Sequence, residues 1–320
     1  MLADCIHQYI DLWRNDIGPD AYEFNKWVDE ACHICTTLVD CIVSGLPEKN
    51  KLAQLQERTG YADELLVAAE PYHLWVIETP SSLSPKQLES EFPARQAGLN
   101  VVVTHDEKPY HERKVTLLNG PHTVLAPIAY LAGLDIVRDA CQHPIVGRYV
   151  RHVMNNELLP TLNMPEAELH LFASEVMERF CNPFIDHQLT SIMLNSMSKF
   201  RTRDLPALMD YLQRYGKLPY GLVLGLAAII VYYSGGERDN RDKMTPNDDP
   251  RIIQLLTELW QSNDAHCIAE GVLSASDLIW GDYGNLNAVS GLTDLLSSDI
   301  DSILSYGIIT TIQRTFSFES

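Results

Sequence analysis

The longest apolar run of the chain is GLVLGLAAIIVYY, residues 221–233, which follows Pro219. This run is too short to cross a bilayer, because a membrane-spanning helix needs about 20 predominantly apolar residues. A helix that is apolar on all of its faces lies instead in the interior of a protein. We therefore predict a buried central helix here, in which Gly221 and Gly225 let neighbouring helices approach closely.

Most of the remaining chain carries apolar residues at helical spacing. This pattern predicts a helix over residues 2–13, another from residue 22 to residue 42, and only helices after residue 108. The last of them is an amphipathic helix that runs from Leu292 to Ile308. The predicted fold class is therefore mainly α.

Two stretches are instead rich in β-branched and aromatic residues, namely YHLWVIET (72–79) and LNVVVTH (99–105). Such residues favour strands. We expect a small β element before the helical region: helices plus two short strands in residues 1–107, followed by an all-helical domain in residues 108–320.

Charge and cysteine content narrow the possible functions. The formal net charge of −19 argues against a nucleic-acid partner, which needs a basic patch. The seven cysteines are odd in number, which favours reduced thiols and a cytoplasmic protein.

Cys32 and Cys35 form a C-x2-C motif, but a structural zinc site needs more ligands than one such pair supplies. We expect no metal, and we interpret both cysteines as small core residues of the helix predicted from residue 22 to residue 42.

The polar residues of RKVTLLNGPH, residues 113–122, interrupt an apolar helical pattern. A lysine among apolar side chains loses solvation and can exchange a proton near neutral pH, while asparagine and histidine can hold a carbonyl or hydroxyl oxygen. On a straight α-helix Lys114, Asn119 and His122 fall within an arc of about 140°, and Gly120–Pro121 is expected to kink or end the helix. From the residues alone, a solvated lysine, a capping asparagine and a hydrogen-bonded histidine remain the alternative interpretation.

The segment KVTLLNGPHTVLAPIAYLAGLD resembles the central K-x4-N-x2-H motif of the polyol-specific long-chain dehydrogenases, the mannitol dehydrogenase family. The blocks TTLVDCIVSG, AEPYHLWVIETP, LLPTL and ERFCNPFIDHQLTSIMLNSMSKFRTRDLP resemble the same family in the same order. The resemblance covers nearly all of the chain and is greatest to the branch that acts on uronates. It implies a C-terminal domain of the mannitol dehydrogenase type in residues 108–320 and a remnant of the cofactor-side domain in residues 1–107.

The resemblance also implies a reaction, the NAD-dependent interconversion of D-tagaturonate and D-altronate. Carried over to this sequence, Lys114 is the general acid/base, Asn119 and His122 position the reacting oxygen, and Asp40 orients the group. The cations expected to meet the carboxylate of a uronate are Lys199, Arg201 and Arg203. The residues that bind NAD remain unknown, because the glycine-rich turn of the family has no counterpart in this sequence.

Three hypotheses follow. The first is the substrate and catalytic half of a uronate reductase, truncated or split, with the dinucleotide-binding half on a separate chain. The second is a helical interaction domain without redox activity, which is consistent with departures from the family pattern at Cys41, Pro121 and Cys181. The third is a related reductase of fructuronate or of a neutral polyol, which would need no cation for a carboxylate. In each enzymatic case the partner is a small uronate or polyol, with no nucleic acid and no membrane.

Overall fold

The computed structural model describes residues 2–47 and 49–316, and most of these residues are helical. The α-helices, in chain order, are α1 (Leu2–Leu12), α2 (Arg14–Ile17), α3 (Ala21–Ala31), α4 (Lys49–Thr59), α5 (Pro85–Glu91), α6 (Lys108–Lys114), α7 (Gly120–Leu131), α8 (Val137–Gln142), α9 (Val146–His152), α10 (Glu166–Phe180), α11 (Leu189–Ile192), α12 (Ser196–Arg203), α13 (Leu205–Tyr215), α14 (Tyr220–Tyr232), α15 (Pro250–Trp260), α16 (Ala265–Leu273), α17 (Leu292–Tyr306) and α18 (Ile308–Thr315). Short 3-10 helices are Gly18–Asp20, Leu159–Thr161, Gly281–Tyr283 and Leu286–Ala288, and π-helical turns are Val115–Asn119, Val153–Leu158 and Ser276–Trp280. The predicted mainly α class is confirmed.

The strands form two small sheets. They are β1 (Thr36–Asp40), β2 (Val43–Gly45), β3 (Ala68–Ala69), β4 (Leu74–Glu78) and β5 (Val101–Thr104). In the larger sheet β4 is central, antiparallel to β1 and parallel to β5, whereas β2 and β3 form an antiparallel pair. The two strands predicted from β-rich sequence are confirmed as β4 and β5.

The helix predicted from residue 22 to residue 42 is wrong in its second half. Helix α3 ends at Ala31, and the chain then forms β1. Three of the five residues in TTLVD are β-branched, and the strand pairs along its whole length with β4. Tertiary pairing therefore outweighs the helical spacing of the apolar residues. Cys32 and Cys35 consequently lie between α3 and β1 rather than inside a helix.

Contacts divide the chain into two units. The first comprises the described part of Met1–Ile42 together with Pro71–His111, and the second comprises Val43–Glu70 and the described part of Glu112–Ser320. The first unit has a core on each side of its sheet. One side is formed by Leu38, Leu74 and Val76, and the other by Ile77, Ala94 and Val101.

Helix α14 is the centre of the second unit, and every residue after its first is buried. It packs against α7 and α17. A methyl group added at Gly225 would come within 2.5 Å of Val124 Cγ1, and one at Gly221 within 2.5 Å of Val153 Cγ2. The predicted role of both glycines in close packing is confirmed. Across residues 2–47 and 49–316, no helix is long and apolar enough to cross a membrane.

Helix α17 is shorter than the sequence pattern predicts. It ends at Tyr306, because Gly307 adopts a positive φ of 75° and starts a new helix at Ile308. A residue in this left-handed region terminates an α-helix, and glycine adopts that conformation most readily.

Candidate functional site

The helical stretch from Lys108 to Leu131 changes its hydrogen-bond register once. Helix α6 ends at Lys114, a π-helical turn covers Val115–Asn119, and α7 starts at Gly120, whose N–H donates to the carbonyl of Val115. In a π-helical turn, residues five apart are one turn apart, so Asn119 follows Lys114 by about one turn. His122 lies three residues further on an ordinary α-helix and therefore shares that face. The turn places all three side chains on one side, whereas a straight α-helix would spread them over an arc of about 140°.

Gly120 and Pro121 explain why the chain changes register here. Pro121 has no N–H and cannot donate to a carbonyl of the preceding turn, so the hydrogen-bond ladder is interrupted here. A Cβ at Gly120 would lie 2.9 Å from Oδ1 of the fully buried Asp204. The predicted kink is thus a π-helical turn, and the chain continues as a helix into α7.

The alternative interpretation of this segment is wrong in two respects. Asn119 precedes α7, but its side chain makes no capping hydrogen bond. Nε2 of His122 is buried and has no hydrogen-bond partner among the described residues. Both side chains are therefore available to a ligand. Lys114 is partly buried rather than fully solvated.

His122 lies in an aromatic group that we call the His122 cluster, formed by His122, Phe180 and His187. The ring of Phe180 stacks on His122 with centroids 3.8 Å apart, and the ring of His187 meets it edge-on at 5.5 Å. Burial lowers the pKa of His122 well below its usual value, and the neighbouring His187 and Arg203 lower it further. His122 is therefore a neutral imidazole at neutral pH, which can donate or accept one hydrogen bond to a ligand.

Two cations on α12, Lys199 and Arg203, form what we call the cationic pair. They are four residues apart and so lie on one face of the helix. Nη1 of Arg203 donates to Oγ1 of Thr123 at 3.3 Å, which connects α12 to the residue after His122. Nζ of Lys199 donates to the carbonyl of Ile192 at 2.6 Å.

The electrostatic state of the cationic pair suits an anion. Burial lowers the pKa of Lys199 to about 8, with a further lowering by Arg203 and a partial offset by Asp248. Burial also lowers the pKa of Arg203. Two partly buried cations near each other repel, and an anionic ligand would relieve that repulsion. Lys199 also lowers the pKa of His187, after burial, so the pair acts electrostatically on the His122 cluster.

The third predicted cation lies in a different environment. Nη1 of Arg201 donates to the carbonyl of Ile279 at 3.0 Å, and its side chain lines a cavity with Leu278 and Asp249. The structure therefore brings Lys199 and Arg203, but not Arg201, to the His122 cluster.

Sequence reasoning missed Arg179, Phe180 and His187. Arg179 precedes Phe180 at the end of α10 and forms a buried ion pair with Glu70, its Nη2 lying 2.7 Å from Oε1. Its Nε also lies 3.0 Å from Oε2, so both carboxylate oxygens are engaged. The signal that points to these residues is the sequence block ERFCNPFIDHQLT, in which all three stand.

Asp40 is buried at the end of β1, in the first unit, whereas Lys114 belongs to the second unit. Its orienting role remains a prediction. Among the described residues, no group of three or more His, Cys, Asp or Glu side chains lies in an arrangement suited to a metal ion.

A dinucleotide needs a helix N-terminus with free N–H groups and a close glycine approach for its pyrophosphate. In the described chain, the helix that follows the central strand of the sheet is α5, which begins at Pro85 with Ser84 as its N-cap. The Ser84 side chain accepts the N–H of Gln87, and Pro85 has no N–H. These residues do not fit a pyrophosphate, and we assign no residue of the chain to the cofactor.

Comparison with known proteins matches both parts of the chain. Residues 106–303 match the family described as mannitol dehydrogenase C-terminal domain, and residues 12–90 match the mannitol dehydrogenase Rossmann domain. The chain is 54% identical to an altronate oxidoreductase of Phocaeicola vulgatus, over 98% of this chain and 62% of that protein. It is 38% identical to an altronate oxidoreductase of Bacillus subtilis, over 98% of this chain and 61% of that protein.

Two solved structures have folds similar to that of this chain. The mannitol 2-dehydrogenase of Pseudomonas fluorescens, solved as a ternary complex with NAD and D-mannitol, superposes with a TM-score of 0.76 at 24% identity and covers 93% of this chain and 57% of its own. A substrate-free D-sorbitol dehydrogenase gives a TM-score of 0.72 at 19% identity, covering 91% of this chain and 56% of its own. The chain spans about three fifths of the length of the curated relatives it matches. Those relatives carry the matched region within one longer chain, so the expectation of a separate dinucleotide-binding chain has no support.

Proposed function

The chain belongs to the mannitol dehydrogenase family, and on that premise we propose that it binds a hexuronate and takes part in its oxidoreduction. The proposed pair of substrates is D-tagaturonate and D-altronate, because relatives at 54% and 38% identity are named altronate oxidoreductases. We further propose that residues 108–320 are the substrate and catalytic domain and that residues 1–107 belong to the cofactor side.

The observation that carries the proposal is the π-helical turn Val115–Asn119. It supports one binding face for Lys114, Asn119 and His122, because it shifts the helix register by one residue between the first and the second of them. A register change of this kind is frequent at functional sites. A helix built only for packing would have no need to gather these three polar side chains.

The proposed roles follow from the hydrogen-bonding capacity of each group. The ammonium of Lys114 donates a proton to the alkoxide oxygen that forms when a keto group is reduced, and its amine accepts that proton in the reverse direction. The amide of Asn119 donates a hydrogen bond to the same oxygen. The neutral imidazole of His122 provides a second hydrogen bond through Nε2, which has no partner within residues 2–47 and 49–316.

The cationic pair accounts for the choice of a uronate over a neutral sugar. Lys199 and Arg203 face the His122 cluster from α12, and their charges are only partly solvated. A carboxylate that binds there gains charge-assisted hydrogen bonds, which are stronger than neutral ones. Asp40 is proposed to orient the lysine, on the strength of the family motif alone.

The proposed cofactor is a nicotinamide dinucleotide, on the ground of family membership. The side chains described above bind the substrate and move its proton, and none of them is assigned to the cofactor.

Ligand binding by calorimetry tests the substrate. We expect D-altronate to bind more tightly than D-mannitol, and Arg203→Gln to reduce that difference. Arg201→Gln is the matched control, because it makes the same charge change on the same helix but its side chain bonds Ile279. Equal affinity for D-altronate and D-mannitol would contradict the uronate assignment and favour a neutral polyol, and tighter binding of D-mannonate would favour fructuronate.

Turnover tests the catalytic role of Lys114. We expect NADH-dependent reduction of D-tagaturonate, measured by the loss of NADH absorbance with the remaining part of a longer relative added in trans, to disappear in Lys114→Met while circular dichroism and D-altronate binding persist. Undiminished turnover in that variant would refute the assignment. Absence of D-altronate binding by the unmodified chain would favour the non-enzymatic hypothesis.

A further inference from the structure

A fully buried carboxyl group lies against the π-helical turn. Asp204 connects α12 to α13, and α12 packs against both the turn and α7. Oδ1 of Asp204 lies 2.9 Å from the position that a Cβ would take at Gly120, the residue between Asn119 and Pro121. Only a glycine at this position leaves room for the carboxyl group to rest on the backbone of the turn.

The backbone of Asp204 is held on both sides. Its N–H donates to the carbonyl of Phe200 at 2.9 Å, and its carbonyl accepts the N–H of Leu208 at 2.8 Å. The chain thus passes from α12 into α13 without an intervening loop. The side chain therefore cannot move away from Gly120 without disturbing both helices.

The carboxyl group of Asp204 receives no hydrogen bond. Within residues 2–47 and 49–316, neither Oδ1 nor Oδ2 has a hydrogen-bond partner. Asp204 occupies the N-cap position of α13, but its side chain makes no capping hydrogen bond, and the first turn of that helix contains Pro206, which has no N–H. The adjacent Arg203 donates through Nη1 to Thr123 instead. A buried carboxylate without donors is unfavourable, and such a group takes up a proton.

Glu157 shows the opposite arrangement in the same unit. It is also buried, but its Oε1 accepts the N–H of Gly221 at 2.7 Å and its Oε2 accepts the N–H of Leu222 at 2.8 Å. Asp204 has no such donors among the described residues, and burial raises its pKa well above the usual value, against a lowering by Arg203. Asp204 is therefore a neutral carboxylic acid, which has one O–H group to donate.

The π-helical turn has an acceptor to offer. The N–H of Gly120 donates to the carbonyl of Val115, five residues back. The next carbonyl in this ladder is that of Thr116, and Pro121, which would be its partner, has no N–H. Inside a protein, a carbonyl without a donor and an O–H without an acceptor each cost free energy. One hydrogen bond between them removes both costs.

We propose that Asp204 is a positioning residue of the candidate site: its neutral carboxyl group donates a hydrogen bond to a carbonyl of the π-helical turn and so maintains the register that aligns Asn119 and His122 with Lys114. Asp204 itself does not touch the substrate and acts only through the turn. The consequence for substrate binding rests on the proposed function. The protonation of Asp204 and its effect on the turn do not.

Carbon-13 NMR of the aspartate carboxyl groups tests the protonation state without reference to any activity. The signal of Asp204 is identified by its disappearance in Asp204→Asn. We expect this signal to have the chemical shift of a neutral acid near neutral pH, unlike the signals of the exposed aspartates. The chemical shift of an ionised carboxylate would overturn the proposal.

Two variants of similar side-chain size test the hydrogen bond. Asp204→Asn keeps a donor in its amide, whereas Asp204→Leu has none. We expect Asp204→Asn to bind D-altronate like the unmodified protein, and Asp204→Leu to lose about tenfold in affinity, the contribution of one or two hydrogen bonds from Asn119 and His122. Hydrogen exchange of the Gly120 N–H, which closes the π-helical turn, should become faster in Asp204→Leu and stay unchanged in Asp204→Asn.

A second buried aspartate provides the control. Asp299 lies on α17, and its Oδ2 also has no partner in the described part of the chain. Asp299→Leu should therefore leave the affinity for D-altronate and the exchange of the Gly120 N–H unchanged. If Asp204→Leu does not fold, as judged by circular dichroism, Asp204→Ser and Asp204→Ala repeat the comparison with smaller side chains, of which only serine has a donor.

The outcomes separate three roles of Asp204. Equal affinity and equal exchange in Asp204→Asn and Asp204→Leu would mean that the side chain only fills space, and the proposal would be overturned. Equal losses in both variants would mean that the negative charge is needed, which would overturn it as well. If the unmodified protein does not bind D-altronate, the proposed function fails, and the carboxyl signal and the exchange of the Gly120 N–H still decide the role of Asp204.

Discussion

The partial burial of Lys199 makes a quantitative prediction about substrate affinity. Burial and the adjacent Arg203 lower the pKa of this lysine to about 8, and Asp248 offsets part of that lowering. Its ammonium is therefore largely present near neutral pH and is lost as the pH rises through about 8. The other groups around it keep their charge states in this range, because Arg203 remains a cation and burial holds the pKa of His187 below its usual value.

The size of the effect follows from the protonated fraction of Lys199. For a pKa of about 8, that fraction falls roughly thirtyfold between about pH 7 and about pH 9.5. A hydrogen bond to a charged group contributes about 1.5–3 kcal/mol, so removing the charge costs at least about tenfold in affinity. We therefore expect the association constant for D-altronate to fall by roughly tenfold to thirtyfold over this range. The carboxylate of D-altronate stays ionised throughout.

Isothermal titration calorimetry at a series of pH values measures this profile. Lys199→Arg should remove the dependence, because a guanidinium stays protonated over the whole range. Lys217→Arg, at an exposed lysine outside α12, is the matched control and should leave the profile unchanged. A flat profile in the unmodified protein, or the same decline in Lys199→Arg, would refute the assignment of Lys199 to the carboxylate.

Three further predictions concern the energetics of the fold, each measured by urea unfolding. Asp299→Asn should stabilise the protein near pH 8 but not near pH 4. The expected gain near pH 8 is about 1–3 kcal/mol once the cost of burying the amide has been subtracted. Burial raises the pKa of Asp299 from 3.8 to about 7, so stability is lost as the pH rises between these values, by about 4 kcal/mol in total. Gly225→Ala should cost about 1–3 kcal/mol, because the new methyl group meets Val124 Cγ1, and adding Val124→Ala should recover part of the loss. Glu70→Ala should cost about 3–5 kcal/mol, because it leaves the buried guanidinium of Arg179 without its carboxylate.

Each of these predictions can fail in a specific way. A stability gain from Asp299→Asn that is equal at both pH values would mean that burial does not raise the pKa of Asp299. Additive losses in the Gly225 and Val124 double variant would show that the two sites do not touch. A cost below about 1 kcal/mol for Glu70→Ala would indicate a solvated ion pair rather than a buried one.

The helical character of the protein is contained in its sequence because helical spacing is a local property. The apolar run at residues 221–233 predicts a buried helix, since a helix without a polar face has to be covered on every side. The β-branched runs that become β4 and β5 are likewise visible in the sequence. The grouping of Lys114, Asn119 and His122 in one segment is also visible in the sequence. The family resemblance supplies the roles that we expect of them.

The remaining features depend on contacts between residues that are distant in the chain. Strand β1 exists because β4 offers a pairing edge, and the helical spacing of TTLVD misleads for that reason. The π-helical turn arises where Gly120 meets the buried Asp204, which stands far away in the sequence. The choice between three cations on α12 is decided by which of them faces Thr123 and which faces Ile279. Periodicity reports which face of a helix is apolar, but only tertiary packing determines what that face meets.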